Sequence, residues 1–342
     1  MHEGLDAKQL LWLLLRDVRL GRGTTADVAR LMTALEMLVR QKKALCPISV
    51  DTFAEVFKQS DPATLSATVQ LIDDLSMGVS ILEFGKRLQL EAFHFICEKT
   101  KGPEAIHPLD DLAWTKTAYV LGFKTPTNRN LPPETDAALQ KAFFDQMWAF
   151  TLSDMLDQLG PNAAKMGKAW FSEDFANQLN SGKFSHTHEY ASFDALFLNE
   201  LAGHLDVHKT MFEDLMQHIW ELDKGKGAAP SETEKVNAGR LMSNLIYNAF
   251  RFHKIKAELP SMRIGAGLHA AIRWDRHRKY KLNDFHDIHH AVAALPYCDI
   301  FLTEHSLRHL VSDKNLRFSS FFKCKTVSDA SEALSVVGDA AA

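Results

Sequence analysis

Residues 283–304, NDFHDIHHAVAALPYCDIFLTE, decide the predicted fold of this chain. The apolar residues of the first half recur at the helical spacing i, i+3, i+4 and i+7: Ile288, Ala291, Val292 and Leu295. This spacing predicts a helix with one apolar stripe, which Pro296 and Tyr297 should end. The apolar run at 298–302 then predicts a buried strand. Thr303 and Glu304 follow at its carboxyl end, where open α/β sheets place their functional sites.

Two carboxylates on this helix are predicted to face the protein interior. On a helical wheel, Asp284 and Asp287 lie beside the apolar stripe. An unpaired buried charge costs on the order of several kcal/mol, so a bound cation shared with other acids would account for this placement. The simpler alternative is that Asn283 or Asp284, with Asp287, satisfies the free amides at the start of the helix.

The histidines near these acids are predicted to face away from the core. His286, His289 and His290 fall opposite the apolar stripe, which favours a solvated surface over metal binding. A second group, His-Thr-His-Glu at 186–189, lies in a loop that contains Ser and Gly. Metal binding at that group is the less favoured interpretation.

The length and composition place broad limits on the function. A chain of 342 residues can bury a large core in one elaborated domain or two. A formal net charge of −4 gives no overall attraction to nucleic acid, so any such binding must be local. The four cysteines show no CxxC spacing, which indicates free thiols in a reducing compartment. The apolar run at 10–15 is too short for a membrane span or a signal peptide. We therefore expect a cytoplasmic protein without a membrane segment.

The predicted fold class is α/β. Four apolar runs predict strands at 44–48, 79–82, 298–303 and 324–327. Each is followed or preceded by a helical pattern, which implies a small parallel sheet flanked by helices. A connection rich in Pro, Gly, Thr and Asn at 103–135 leads into a large all-helical insertion. The predicted divisions are an N-terminal half of the sheet domain at 1–102, the insertion at 103–260, and a C-terminal half at 261–337.

Three motifs resemble the PIN-domain nucleases, a family that includes the ribonuclease toxins of many toxin–antitoxin pairs. The first is ISVDTFAEV at 48–56, where Glu55 lies on a helix that follows a predicted strand. The others are Asp287-x-x-His290 and the run CDIFLTE at 298–304. By itself, Glu55 is typical of a solvated residue on an amphipathic helix. The resemblance covers about 44–100 and 280–330, and it implies a parallel sheet of PIN-like type.

The resemblance also implies a set of metal-binding acids. Glu55, Asp287 and Glu304 would be the catalytic acids and would hold Mg²⁺ or Mn²⁺, with Asp284 and Asp299 assisting. Hard cations of this kind take oxygen ligands, and a metal-activated water would attack the phosphodiester. The implied function is a metal-dependent endoribonuclease that acts on RNA, or on DNA instead, with an antitoxin or another protein as partner.

One departure from the family supports an alternative function. The family's first strand ends in a metal-binding Asp, whereas here Asp6 leads directly into a predicted helix. We expect that strand to precede Met1 in the natural gene. If the ligand is missing instead, the chain is a non-catalytic PIN-like scaffold that binds RNA or a protein. The pair His286-Asp287 also resembles HD phosphohydrolases, but the sequence offers no suitable partner His and distal Asp.

A basic zone precedes the pivotal helix. Residues 254–281 carry eight Lys or Arg against two acids, with Trp274 and Tyr280 between them. Phosphates bind basic side chains, and bases stack on aromatic rings. The predicted nucleic-acid-binding residues are Arg273, Arg276, Arg278, Lys279 and Lys281. The alternative is an ordinary exposed helix face.

Overall fold

The chain is predominantly helical. The computed structural model describes residues 7–122, 126, 131–160, 172–186, 190–225 and 229–341. The helices are α1 (Ala7–Arg19), α2 (Ala26–Arg40), α3 (Val50–Val56), α4 (Pro62–Ser76), α5 (Phe84–Lys101), α6 (Leu109–Leu112), α7 (Pro133–Ala149), α8 (Leu152–Leu159), α9 (Glu173–His186), α10 (Phe193–Val207), α11 (Lys209–Lys224), α12 (Glu232–Arg251), α13 (Pro260–Trp274), α14 (Leu282–Tyr297), α15 (His305–Val311) and α16 (Ala330–Ala341). The strands are β1 (Val79–Ile81), β2 (Trp114–Lys116), β3 (Ile300–Leu302) and β4 (Lys325–Val327).

The predicted parallel sheet is wrong. The four strands form two separate pairs, and each strand has three residues. β1 and β2 are antiparallel, with Ser80 opposite Thr115, and β3 and β4 are parallel, with Phe301 opposite Thr326. In the part of the chain that the structure describes, no parallel sheet of PIN-like type forms the core. The α/β class built on such a sheet is therefore corrected to a mainly helical fold.

The physical reason for this error is the shortness of the apolar runs. A run of four to six apolar residues does not distinguish a strand from a buried helix or loop segment. Residues 44–48 contribute only an isolated parallel bridge from Ile48 to Ser80. The partner of β1 instead comes from 114–116, inside the segment predicted to be a connection. Strands this short supply few ladder bonds, so packed helices form the core.

One hydrophobic cluster crosses both predicted domain boundaries. It combines Leu88 and Phe95 of α5 with Leu201 and Phe212 of the helical middle and with Met262 of α13. A separate cluster joins α13, α14 and the segment that follows β3. The helical middle therefore shares its core with residues on either side of it in the sequence.

Two further expectations concern the cysteines and membrane-spanning helices. The four cysteines are free, as predicted. Within the described ranges, no helix combines the length and the apolar character needed to cross a lipid bilayer.

Candidate functional site

Helices α3 and α14 bring acids and imidazoles together in the interior. Asp51 and Glu55 are four residues apart on α3, as His286 and His290 are on α14, so each pair lies on one helix face. Asp51 Oδ1 lies 3.3 Å from His289 Nδ1 and 3.7 Å from His286 Nδ1. Glu55 Oε2 lies 3.2 Å from His290 Nε2. We call this group, together with the neighbouring Asp287, the acid–histidine cluster: Asp51, Glu55, His286, Asp287, His289 and His290.

The cluster is buried, and Asp51 within it is ionised. Asp51 and Glu55 are 2% and 5% exposed, while the His289 side chain is 25% exposed and marks the most open side. Burial by itself would raise the pKa of Asp51, but contact with the imidazoles of His286 and His289 holds that pKa well below its usual range. Asp51 therefore stays ionised at neutral pH. Its Oδ1 accepts no hydrogen bond from any described residue.

The two predicted interior acids of α14 have different surroundings. Both are buried, as the helical wheel predicted. Asp287 directly follows His286 in α14. It is not without an interaction partner. Asp284 instead accepts hydrogen bonds from the Lys281 amide at 2.7 Å and from Arg278 Nη2 at 2.6 Å. Asp284 therefore takes part in helix capping, but as the third residue after the N-cap Lys281 and not together with Asp287, and its carboxylate is already occupied.

Glu304 and Asp299 are not brought together by the fold. Glu304 follows β3 and accepts a hydrogen bond from the Ser306 hydroxyl. Asp299 precedes β3 and is exposed, and its backbone carbonyl accepts the Lys325 amide at 2.8 Å. Five residues of extended chain separate the two by roughly 16 Å, so their carboxylates cannot bind the same ion. The contacts of Glu304 are local to the start of α15.

The predicted outward placement of the α14 histidines is wrong. His286 and His290 are buried, because α3 covers the face of α14 opposite its apolar stripe. Helix α14 is thus enclosed on two sides, as expected of a helix in the interior of a large protein. Asp51 was not among the site residues predicted from the sequence. Its spacing of four residues from Glu55, which matches the spacing of His286 and His290, was the available signal.

Further imidazoles continue inward from the cluster. His204 of α10 and His269 of α13 have ring centroids 5.5 Å apart, and His208 follows one turn after His204. Phe84 stacks on His289 at 5.3 Å. Burial, with smaller contributions from neighbouring imidazoles, lowers the pKa of His204 to about 4 and that of His269 to about 3. These imidazoles are therefore neutral at physiological pH.

The five predicted nucleic-acid-binding residues divide into two groups. Arg273 forms an ion pair with Glu200, and Arg278 forms one with Asp284. The side chains of these two arginines are therefore engaged in ion pairs within the fold. Arg276, Lys279 and Lys281 are exposed in or beside the loop between α13 and α14. That loop carries part of the accessible positive charge of the predicted basic zone, and Lys254 and Lys256, which are also exposed, lie before α13.

Two sequence candidates lie outside the described residues. These are Asp6 and the segment with His188 and Glu189. Among the residues that are described, no three His, Cys, Asp or Glu side chains form a ready-made metal site. Binding of an ion by the acid–histidine cluster would require small rotations of its side chains, whose acid and imidazole groups already lie within 4 Å of one another.

Comparisons of this chain with family models, with curated proteins and with solved structures gave no match. A functional inference must therefore rest on the side chains of the acid–histidine cluster and on the surface beside it.

Proposed function

We propose that this chain is a metal-dependent hydrolase that cleaves phosphodiester bonds in RNA, with the acid–histidine cluster as its catalytic site. The observation that carries this proposal is the placement of Asp51 Oδ1 at 3.3 and 3.7 Å from two imidazole nitrogens. Neighbouring ligands about 2.1 Å from an octahedral ion lie about 3.0 Å from one another, so the two observed distances would have to close by only about 0.3 and 0.7 Å. A buried, ionised carboxylate flanked by imidazoles at this spacing fits the donor set of a divalent ion.

The donor set favours Mn²⁺ over Mg²⁺. Asp51, His286 and His289 would hold the ion, and imidazole nitrogen suits a transition ion better than it suits Mg²⁺. Such an ion, when bound, supplies positive charge that stabilises the charge developing on a phosphate. Asp51, kept ionised by its surroundings, would balance part of that charge.

The other residues of the cluster are suited to proton transfer and positioning. Glu55 is held by His290 at 3.2 Å, so the pair can accept a proton from an attacking water. Asp287 is buried next to His286 in the sequence of α14. The partly exposed side of His289 is the direction from which a phosphate can approach. Lys281 lies about 9 Å along the helix from Asp287, close enough for a bound RNA backbone to reach both.

Metal binding can be tested separately from catalysis. After EDTA treatment, Mn²⁺ at about 100 times its Kd should stabilise the folded chain by about 2.7 kcal/mol, which raises Tm by about 5 °C for a large domain. Mg²⁺ should raise Tm less. The variant Asp51→Asn keeps the side-chain volume but loses the charge, and its Tm should not respond to Mn²⁺. An equal response in the parent and in Asp51→Asn contradicts the assigned ligand.

Catalysis is tested with a labelled single-stranded RNA and Mn²⁺. Asp51→Asn and Asp287→Asn should lower the cleavage rate by at least about 100-fold, a usual effect of removing a group that acts in the transition state. Asp299→Asn is the matched control, since Asp299 is exposed, and it should cleave like the parent. The hydrolase proposal is wrong if both cluster variants cleave as fast as this control.

A second candidate is a non-catalytic scaffold that binds RNA or a protein. It is favoured by the fact that Asp51 and Glu55 each already face an imidazole. Under this function, the two acid–imidazole pairs join α3 to α14 and have no catalytic role. Under this function, Mn²⁺ leaves Tm unchanged and the parent does not cleave RNA. An antitoxin-like partner stays a prediction under either function.

A further inference from the structure

A cleft lies at the carboxyl end of α13, beside the loop that leads to α14. Its volume is about 390 Å³, and its lining includes Tyr190, Trp274, Arg276 and His277. It shares no lining residue with the acid–histidine cluster. A volume of this size matches the lower end of small-ligand sites.

The floor of the cleft is held rigidly by one buried lysine. Lys183 of α9 is 3% exposed, and its ammonium donates hydrogen bonds to the carbonyls of Ile272 at 2.7 Å, Asp275 at 2.5 Å and Arg278. Nearby, Asn180 pairs with both the carbonyl and the amide of Tyr280, at 2.9 and 2.7 Å. The loop is therefore fixed at both ends, so its side chains are presented in a defined arrangement.

The walls of the cleft combine aromatic surface with positive charge. Trp274 is 42% exposed, and the Arg273 guanidinium lies 5.6 Å from the centre of the Tyr190 ring. Arg276 is exposed and has no ion pair with a described residue. Asp275, an acid of the lining, accepts the His277 amide at 2.9 Å. An exposed indole beside an unneutralised guanidinium suits a ligand with a flat ring and a phosphate.

We propose that this cleft binds one nucleotide of a single-stranded nucleic acid, with its base stacked on Trp274 and its phosphate on Arg276. This inference deepens the proposed hydrolase function, and only its link to cleavage rests on that function. The loop that lines the cleft leads into α14, which carries His286, Asp287, His289 and His290 of the acid–histidine cluster. A strand that is anchored in the cleft and continues along α14 would bring a neighbouring phosphodiester towards that cluster.

The test measures binding without cleavage. The full chain is titrated, in EDTA, against a fluorescently labelled ten-nucleotide oligouridylate or oligothymidylate, and the anisotropy gives Kd. Trp274→Ala should weaken binding by about fivefold or more, because the stacking of one base contributes at least that much. Trp274→Phe keeps a ring and should stay within about threefold of the parent. Arg276→Ala should reduce the magnitude of the slope of log K against log salt by about 0.7, the change for one phosphate contact on a single strand.

Two controls separate the cleft from general surface effects. Trp220 is similarly exposed on α11, and Arg240 is exposed on α12, so Trp220→Ala and Arg240→Ala should bind like the parent. A duplex of the same length should bind at least tenfold more weakly than the single strand. The inference is overturned if the two cleft variants bind like their controls, or if the duplex binds as tightly.

The outcomes also separate this inference from the hydrolase proposal. If Trp274 governs binding but the parent never cleaves, the cleft stands and the hydrolase proposal falls. If Asp287→Asn abolishes cleavage while Trp274→Ala and Arg276→Ala bind normally, the hydrolase proposal stands and the cleft falls. Comparison of the oligouridylate with an oligodeoxyuridylate of the same length, which differs only in the ribose hydroxyl, shows whether that hydroxyl contributes.

Discussion

Among single residues, Lys183 connects a helix end, a loop and the wall of a cleft. Burial lowers the pKa of its ammonium, while the nearby Asp275 opposes that shift. Its three carbonyl acceptors lie at or just beyond the carboxyl end of α13, where backbone carbonyls lack intrahelical donors. A positive charge is also favoured there by the helix dipole.

Lys183→Met should destabilise the fold by about 2 to 4 kcal/mol. The methionine keeps the apolar stem but removes the donor for three carbonyls, and buried groups left without partners account for losses of this size. Urea unfolding followed by circular dichroism measures the change. Lys209→Met is the control, since the Lys209 side chain is 63% exposed, and it should change stability by less than about 0.5 kcal/mol. Equal unfolding midpoints for the two variants would contradict the structural role of Lys183.

At the scale of helices, the start of α8 is capped by a neighbouring helix as well as by its own residues. Thr151 and Asp154 form a capping box. In addition, the Asp73 carboxylate of α4 accepts hydrogen bonds from the amides of Leu152 and Ser153, both at 2.8 Å, and from the Ser153 hydroxyl at 2.6 Å. A carboxylate at this position satisfies free amides and complements the helix dipole.

Asp73→Ala should therefore lower stability by about 1 to 2 kcal/mol, in the range of a lost helix cap. The adjacent Asp74 offers a matched control, because it is exposed and takes part in a surface ion pair with Arg19. Asp74→Ala should lose less than about 1 kcal/mol. Urea midpoints for the two variants provide the comparison, and a larger loss at Asp74 would contradict the capping role.

Local signals in the sequence predicted the helices well and the sheet poorly. The pattern Ser231-x-x-Glu234 is typical of a capping box, and these two residues do start α12. Asp61-Pro62 is likewise a helix-start signal, and α4 begins at Pro62. Caps depend on residues a few positions apart, whereas strand pairing depends on partners far along the chain.

The site was predictable only in part for the same reason. Glu55 and Asp287 were named from their motifs, but the imidazole partner of Glu55 lies 235 residues away at His290. Asp51 was missed because its spacing of four residues from Glu55, the only signal near it in the sequence, is equally typical of a solvated helix face. Only the packing of α3 on α14 shows that its carboxylate is enclosed by imidazoles.

For the whole molecule, the buried histidines predict sensitivity to mild acid. His204 and His269 have folded-state pKa values of about 4 and about 3, below the unfolded value of about 6.5. The unfolded chain therefore binds more protons, and stability falls as the pH drops below about 6.5. The pKa of Asp51 is lowered, so its contribution to stability is complete at any pH above the ordinary pKa of an aspartate. That contribution therefore stays constant between pH 5.0 and pH 7.5.

Between pH 7.5 and pH 5.0, the free energy of unfolding should fall by about 4 kcal/mol, or about 2 for each of these two histidines. Urea midpoints at the two pH values measure the loss. His204→Gln should reduce it by about half, whereas His309→Gln should not, since His309 is exposed on α15. A parent chain that is equally stable at both pH values would show that these imidazoles are not held neutral by the fold.

The long separation between Glu55 and His290 also bears on synthesis of the chain. At about 5 to 20 residues per second, the second residue is added roughly 10 to 50 s after the first, given the 235 positions between them. During that interval the nascent polypeptide on the ribosome has an acidic N-terminal helix but none of the imidazoles that later cover it. The cluster is thus a late product of translation, and no ribosome-bound fragment that ends before α14 can possess it.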